Sequence, residues 1–163
     1  MSVASIKQAL TDRHALALTI WGEARGESVE ARIAVGMVVK HRKNHPRRWP
    51  REWRKVCHQR WQFSCWQRSG GAGNHEAVMR WARYFVPDDT QQQIPNKDEY
   101  PLVMECLYLA DGIMQDVLID SVRRADHYYS PLAMIPPDSE PSWARNRAPV
   151  AIVGGSRFFR LAV

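Results

Sequence analysis

The stretch from Thr19 to Arg42, T-I-W-G-E-A-R-G-E-S-V-E-A-R-I-A-V-G-M-V-V-K-H-R, constrains the fold more than any other part of the chain. Ala15, Leu16, Thr19 and Ile20 recur at helical spacing and lead into Glu23, and Thr11 can cap that helix. The helix is expected to reach about Ala24 and stop near Gly26. A second helix follows from about Val29 to Lys43, with Ser28 as its cap. Ile33, Met37 and Val38, with Ala34 and Val35, give it a broad apolar surface to pack on the first, and Gly36 permits close approach.

Glu23 continues the apolar face of the first helix. Partial desolvation beside Trp21 and the negative end of its own helix both favour a neutral carboxyl, the form a general acid needs, whereas Arg25 opposes them. The competing reading is a surface glutamate paired with Arg25 or a nearby lysine. The break at Gly26 means that helical spacing cannot place Glu27 and Glu30 on the face of Glu23. Glu27 is either a second carboxylate of the site or a charge favoured at a helix N-terminus, and Glu30 reads as the latter.

With 163 residues, 45% of them hydrophobic, the chain suffices for a single domain, 1–163, with a sizeable core. A net charge of +6 implies attraction to a polyanion: nucleic acid, an anionic membrane surface or an acidic wall polymer. Cys57, Cys65 and Cys106 form no regular disulfide framework and fit synthesis in a reducing cytosol, with a Cys57–Cys65 bridge open after export. The N-terminus has no cationic segment followed by an apolar run, so no signal peptide is expected.

Lys40 to Arg60 is basic and interleaved with Trp49 and Trp53. Such a segment can stack bases and hold phosphates, grip glycans and wall polymers, or form a loop and short helix whose tryptophans anchor it to the core. If the polyanion is a wall polymer or an outer membrane, removing charge from Arg47–Lys55 is expected to weaken that contact. His41, His45, Cys57, His58 and Cys65 lack a second close pair at a structural zinc spacing, so no metal or other cofactor is expected.

W-Q-F-S-C-W, Trp61 to Trp66, sets aromatics beside an amide and a hydroxyl, a combination suited to sugars. Gln62 and Ser64 are the better site candidates, core packing competes for Phe63 and Trp66, and Cys65 reads as structural. The glycine-rich Arg68–Asn74 lacks a phosphate-loop pattern and reads as a connection that could edge a substrate groove. Helices are expected over His75–Phe85 and about Leu102–Gln115, and a hairpin from Val150–Val153 and Arg157–Leu161 around Gly154-Gly155. Between them lie A-D-H-Y-Y-S-P, Ala125 to Pro131, and P-S-W-A, Pro141 to Ala144. His127 can orient a sugar or be a satisfied structural histidine, and strand alternation would let only one of Tyr128 and Tyr129 face a groove.

Taken together, E-A-R-G-E-S-V-E-A-R-I-A-V-G-M-V-V-K-H-R, Q-F-S-C-W, A-D-H-Y-Y-S-P and P-S-W-A resemble, in order, the motifs of SleB-type cell wall hydrolases, which include spore-cortex-lytic enzymes and many phage endolysins. The chain departs from the family's I-G-x-H-x-F-Y pattern with V-G-G-S-R-F-F, where Ser156 replaces a common histidine and Phe159 a common tyrosine. The resemblance implies a lysozyme-like, lytic transglycosylase-like α+β fold, mainly α, with a small C-terminal β-hairpin. It makes Glu23 the catalytic acid and peptidoglycan the substrate. Substrate contacts are expected from Glu27, Gln62, Phe63, Ser64, His127, Tyr128 and Trp143.

The expected chemistry is cleavage of the β-1,4 bond between N-acetylmuramic acid and N-acetylglucosamine. One acid suffices for a lytic transglycosylase with a 1,6-anhydro product, the route the resemblance favours; a hydrolytic muramidase would need a second carboxylate. A basic nucleic-acid-binding module and a metal-dependent amidase are the readings from other classes, the latter disfavoured by the lack of H-E-x-x-H. A phage endolysin is expected, monomeric, without specific nucleic-acid binding, made in the host cytoplasm and released to the wall by a separate holin-like partner, with anionic membrane as a further contact.

Overall fold

The structure is a computed structural model that describes residues 1–45, 47–68, 72–86 and 92–162, with the backbone alone at 72 and 73. Of the expected glycine-rich connection, Ser69, Gly70 and Gly71 lie outside the described residues.

The capping signals act where their chemistry places them. Helix α1 (Val3–Ala9), which no sequence signal had marked, starts at Ser2, whose hydroxyl accepts from the Ser5 N–H. Thr11 accepts from the His14 N–H and opens α2 (Asp12–Ala24), and Ser28 accepts from the Ala31 N–H and opens α3 (Val29–Lys43). The stop at Gly26 has a different geometry from the expected one. Arg25 caps α2 in the right-handed region and the Glu27 N–H reaches back to the Ala24 carbonyl. Gly26 has no positive φ, so the turn does not require glycine there.

Helix α4 (Trp53–His58), α5 (Ala72–Phe85) and α6 (Tyr100–Met114) complete the helical part. α5 begins three residues before His75, the start expected from the sequence. Ala15 to Trp21 are all buried, so α2 is apolar around its circumference, and such a helix must be enclosed. It is: α3, α4, α5 and α6 all pack on it. A Cβ on Gly36 would run into the side chains of Ile113 and Ile20, which accounts for glycine where α3 meets α2 and α6. Arg13 of α2 binds Asp111 of α6 through a fork of 2.6 and 2.9 Å.

The hairpin forms from β2 (Ala151–Val153) and β3 (Ser156–Phe159), and a third strand, β1 (His127–Tyr129), joins it. All pairing is antiparallel in the order β1-β3-β2, with His127 opposite Phe159 and Tyr128 opposite Phe158. The fold is therefore α+β and mainly α. Gly154, at φ +57, forms the hairpin turn, and a Cβ there would sit 3.3 Å from Glu27 Oε2, so the turn lies against the start of α3.

Candidate active site

Glu23 is the penultimate residue of α2, where the helix leaves the core, and its carboxyl is half-buried. The Cys65 backbone N–H donates to its Oε1 at 3.0 Å, the Ser64 hydroxyl donates to the same oxygen at 3.4 Å, and the Tyr128 hydroxyl donates to Oε2 at 2.8 Å. These donors come from the 3-10 turn Ser64–Trp66 and from β1, so the carboxyl is held by two segments distant in sequence. Its surroundings are more polar than a greasy helix end would supply. Trp21 is turned into the core against Trp81, and the Arg25 guanidinium lies over the Trp21 ring at 4.3 Å. No ion pair forms between Arg25 and Glu23 among the described residues.

Burial and the adjacent Glu23 carboxyl hold the Tyr128 phenol well above its ordinary value, so it stays a hydrogen-bond donor. Burial, followed by Glu23, pushes the Cys65 thiol well up, and burial takes Cys57 to about 12. Both thiols are buried and free in this structure, and neither has nucleophilic character.

Glu23 opens onto a cavity of about 550 Å³, the size range of small-ligand sites. Of the residues expected from the sequence, Glu27, Gln62, Ser64 and Tyr128 line it with Glu23. Glu27 is exposed on the wall formed by the start of α3. Phe63, His127 and Trp143 are not on that lining. Phe63 is buried in the main core beneath the Arg42 guanidinium. His127 Nδ1 bonds Asp126 Oδ1 at 2.7 Å, and its ring packs between Trp49 and Trp143. Trp143 packs on Tyr129 and Phe159 in a second, smaller apolar cluster. In this structure the three rings are engaged by neighbours in the protein, Phe63 by the core and Arg42, His127 by Asp126 and two tryptophans, and Trp143 by Tyr129 and Phe159.

The cavity also draws on Arg42, Gln67 and Ser130, which sequence reasoning passed over, on Trp61 from the block suited to sugars, and on Asn74 at the end of the connection expected to edge a groove. Ser156 lines it too, where the family commonly has histidine, and so does the buried Tyr129, so both tyrosines border the cavity where strand alternation was expected to admit one. Arg42 is 4% exposed; its Nε donates to the Asp126 carbonyl at 2.7 Å and its Nη1 to Gln62 Oε1 at 2.8 Å. The signal for Arg42 was present. Ala31, Ala34, Val35, Val38, Val39 and Arg42 fall on one helical face, and an arginine in phase with five apolar residues is destined for burial. Asp126 anchors the far side by accepting from the backbone N–H groups of Leu161 and Ala162 at 2.9 and 2.8 Å. Burial works to raise its carboxyl, but those bonds and the one from His127 bring it below its usual range.

The tryptophans of the basic segment are spent on structure, while Arg47, Arg48, Arg51, Lys55 and Arg60 stay exposed. Trp49 and Trp53 are buried, Arg48 lies over Trp49, and Arg54 donates to the Gln8 and Leu10 carbonyls. Neither ring is free to stack on a base. His41 bonds the Ala125 carbonyl and faces Asp120, and among the described residues no group of three or more His, Cys, Asp and Glu could hold a metal ion.

Fold and site together define a mainly helical α+β protein with a polar cleft built around one glutamate held by three donors. Residues 26–159 match the family described as Cell Wall Hydrolase, and the chain belongs to it, as the SleB-type motifs implied. Membership makes peptidoglycan its substrate and wall degradation its activity. The match begins at Gly26, so Glu23 stands three residues ahead of it. No curated protein and no solved structure matches the chain.

Proposed function

We propose that the protein cleaves the β-1,4 bond between N-acetylmuramic acid and N-acetylglucosamine as a lytic transglycosylase, with Glu23 as acid and then base. The observation that carries this reading is the three-donor hold on Glu23 at the cavity wall, which fixes one carboxyl and leaves it open to a ligand. Protonated Glu23 gives its proton to the glycosidic oxygen as the C1–O bond breaks, and the N-acetylglucosamine side leaves as an alcohol. The Glu23 carboxylate so formed is stabilised by the Ser64, Cys65 and Tyr128 donors. It then takes the proton of the muramic acid C6 hydroxyl as that oxygen attacks C1, closing the 1,6-anhydro ring and restoring the acid.

A hydrolytic muramidase is the second reading, favoured by one observation: Glu27 lines the same cavity and could activate water. In either form the enzyme acts as a phage endolysin with a lysozyme-like fold. Likeness to the endolysin motifs supports that role.

Mass spectrometry of fragments released from purified peptidoglycan distinguishes the two. Anhydromuramic ends from the wild type, absent with a folded Glu23→Gln variant and retained with Glu27→Gln, are expected. Reducing muramic ends that vanish with Glu27→Gln would establish the muramidase instead, and full activity in Glu23→Gln would remove both readings.

A further inference from the structure

Seven tryptophans occur in the chain, and the structure treats one of them differently. Trp21, Trp49, Trp53, Trp66 and Trp81 are buried and Trp143 is half-buried, whereas Trp61 is 66% exposed. Its backbone is also unusual. Trp61 has φ 65, in the left-handed region that a bulky L-residue occupies only at a cost in strain. Glycine or asparagine would take that conformation more readily, so neither packing nor the turn explains tryptophan at this position.

The ring's location supplies an explanation. Trp61 lines the cavity of Glu23, directly before Gln62, whose amide oxygen is held by Arg42. The Arg60 guanidinium lies over the Trp61 ring at 4.9 Å and so restrains its orientation. A flat, exposed aromatic ring on the wall of a cleft lined with amides and hydroxyls matches the apolar face of a pyranose. We infer that Trp61 is the sugar-stacking platform of this cleft, receiving the face of an N-acetylhexosamine ring of the glycan strand. The strained turn is kept because it aims the indole into the cavity. This inference rests on the glycan-cleaving reading above.

The test uses the full chain carrying Glu23→Gln, so that ligand is not consumed, with purified muropeptide oligosaccharides as probe. Binding is followed by intrinsic fluorescence and by calorimetry. In that background Trp61→Asn should bind about two- to twelvefold more weakly, the range for one aromatic stacking contact. Trp61→Tyr should recover most of the affinity. Thermal unfolding of Trp61→Asn should be unchanged or shifted upward, because asparagine relieves the left-handed strain; a merely structural tryptophan would lower it. Fluorescence quenching by the oligosaccharide should disappear in Trp61→Asn.

Equal affinity of Trp61→Asn and its parent overturns the inference and leaves Glu23 cleavage standing. Loss of stability in Trp61→Asn in parallel with loss of binding also overturns it, by making Trp61 structural. Absence of both oligosaccharide binding in every variant and glycan cleavage by the wild type would overturn the glycan-cleaving reading, and the inference with it.

Discussion

At the scale of single residues, the site depends on donors that aim at one carboxyl. Tyr128 is the donor that can be removed most cleanly. Its ring stacks on Phe158, so Tyr128→Phe keeps the packing and deletes only the hydroxyl bonded to Glu23 Oε2. The expected outcome is a 10- to 100-fold loss of turnover, with a stability loss of about 0.5–1.5 kcal/mol. Rates of peptidoglycan clearing alongside thermal melts check this, and unchanged turnover would show that the hydroxyl does not position Glu23. Glu23, Gln62, Ser64 and Tyr128 could be picked out from motifs because their residue types carry chemistry on their own. Phe63, His127 and Trp143 could not be sorted the same way, since an aromatic ring serves a core and a sugar equally well and its neighbours decide which.

At the scale of elements, the site is a junction between the end of α2, the start of α3, the Ser64–Trp66 turn and β1. Close approach at that junction is set by Gly22, one residue before Glu23. A Cβ on Gly22 would lie 2.7 Å from Cys65 Cβ and 2.8 Å from Val78 Cγ2; the Cys65 Cβ is fixed to its backbone, and both residues are fully buried with little room to shift. Gly22→Ala should therefore cost about 1–3 kcal/mol of stability by overpacking. It should also lower activity below what a folded fraction explains, because the displaced Cys65 N–H is the 3.0 Å donor to Glu23. Denaturant unfolding and activity at a temperature where the variant is fully folded separate the two effects; a variant as stable as the wild type would show that α5 and the turn yield easily. Caps, apolar faces and the C-terminal hairpin were legible because each is encoded within a few residues. The place of the third strand was not: Tyr128 and Tyr129 could be read as strand residues, but pairing His127–Tyr129 with Arg157–Phe159 is a contact across some thirty residues that no local periodicity records.

At the scale of the whole molecule, folding encloses several histidines without giving them charge partners. Burial lowers His14, His75 and, furthest, His58, which falls to about 3, with Lys7 and Arg54 adding to the effect. An unfolded chain takes up a proton at each histidine near pH 6.5, whereas folded His58 resists it until about pH 3. Unfolding thus absorbs protons in that window. The stabilising contribution of neutral His58 is complete above about pH 6.5 and is lost progressively as pH falls toward 3. Melting temperature should decline over that range, and His58→Phe, which keeps a ring against Trp66, should flatten the decline. An identical slope in the variant would assign the pH dependence to other groups, such as the depressed Asp126.

Local sequence determined the helices and their caps, the apolar faces that make α2 central, and the residue types from which a glycan site can be made. Each of these follows from chain neighbours within a turn or two, where propensity and periodicity operate. Only the tertiary structure decided which side chains meet: that Tyr128 and the Ser64–Cys65 turn converge on Glu23, that Arg42 is buried behind Gln62, and that Trp61 rather than Phe63 or Trp143 faces the cavity. Those outcomes are set by contacts between segments distant in sequence: most of the aromatic area is claimed by the core, and Trp61, which the core leaves exposed, stays on the cleft wall.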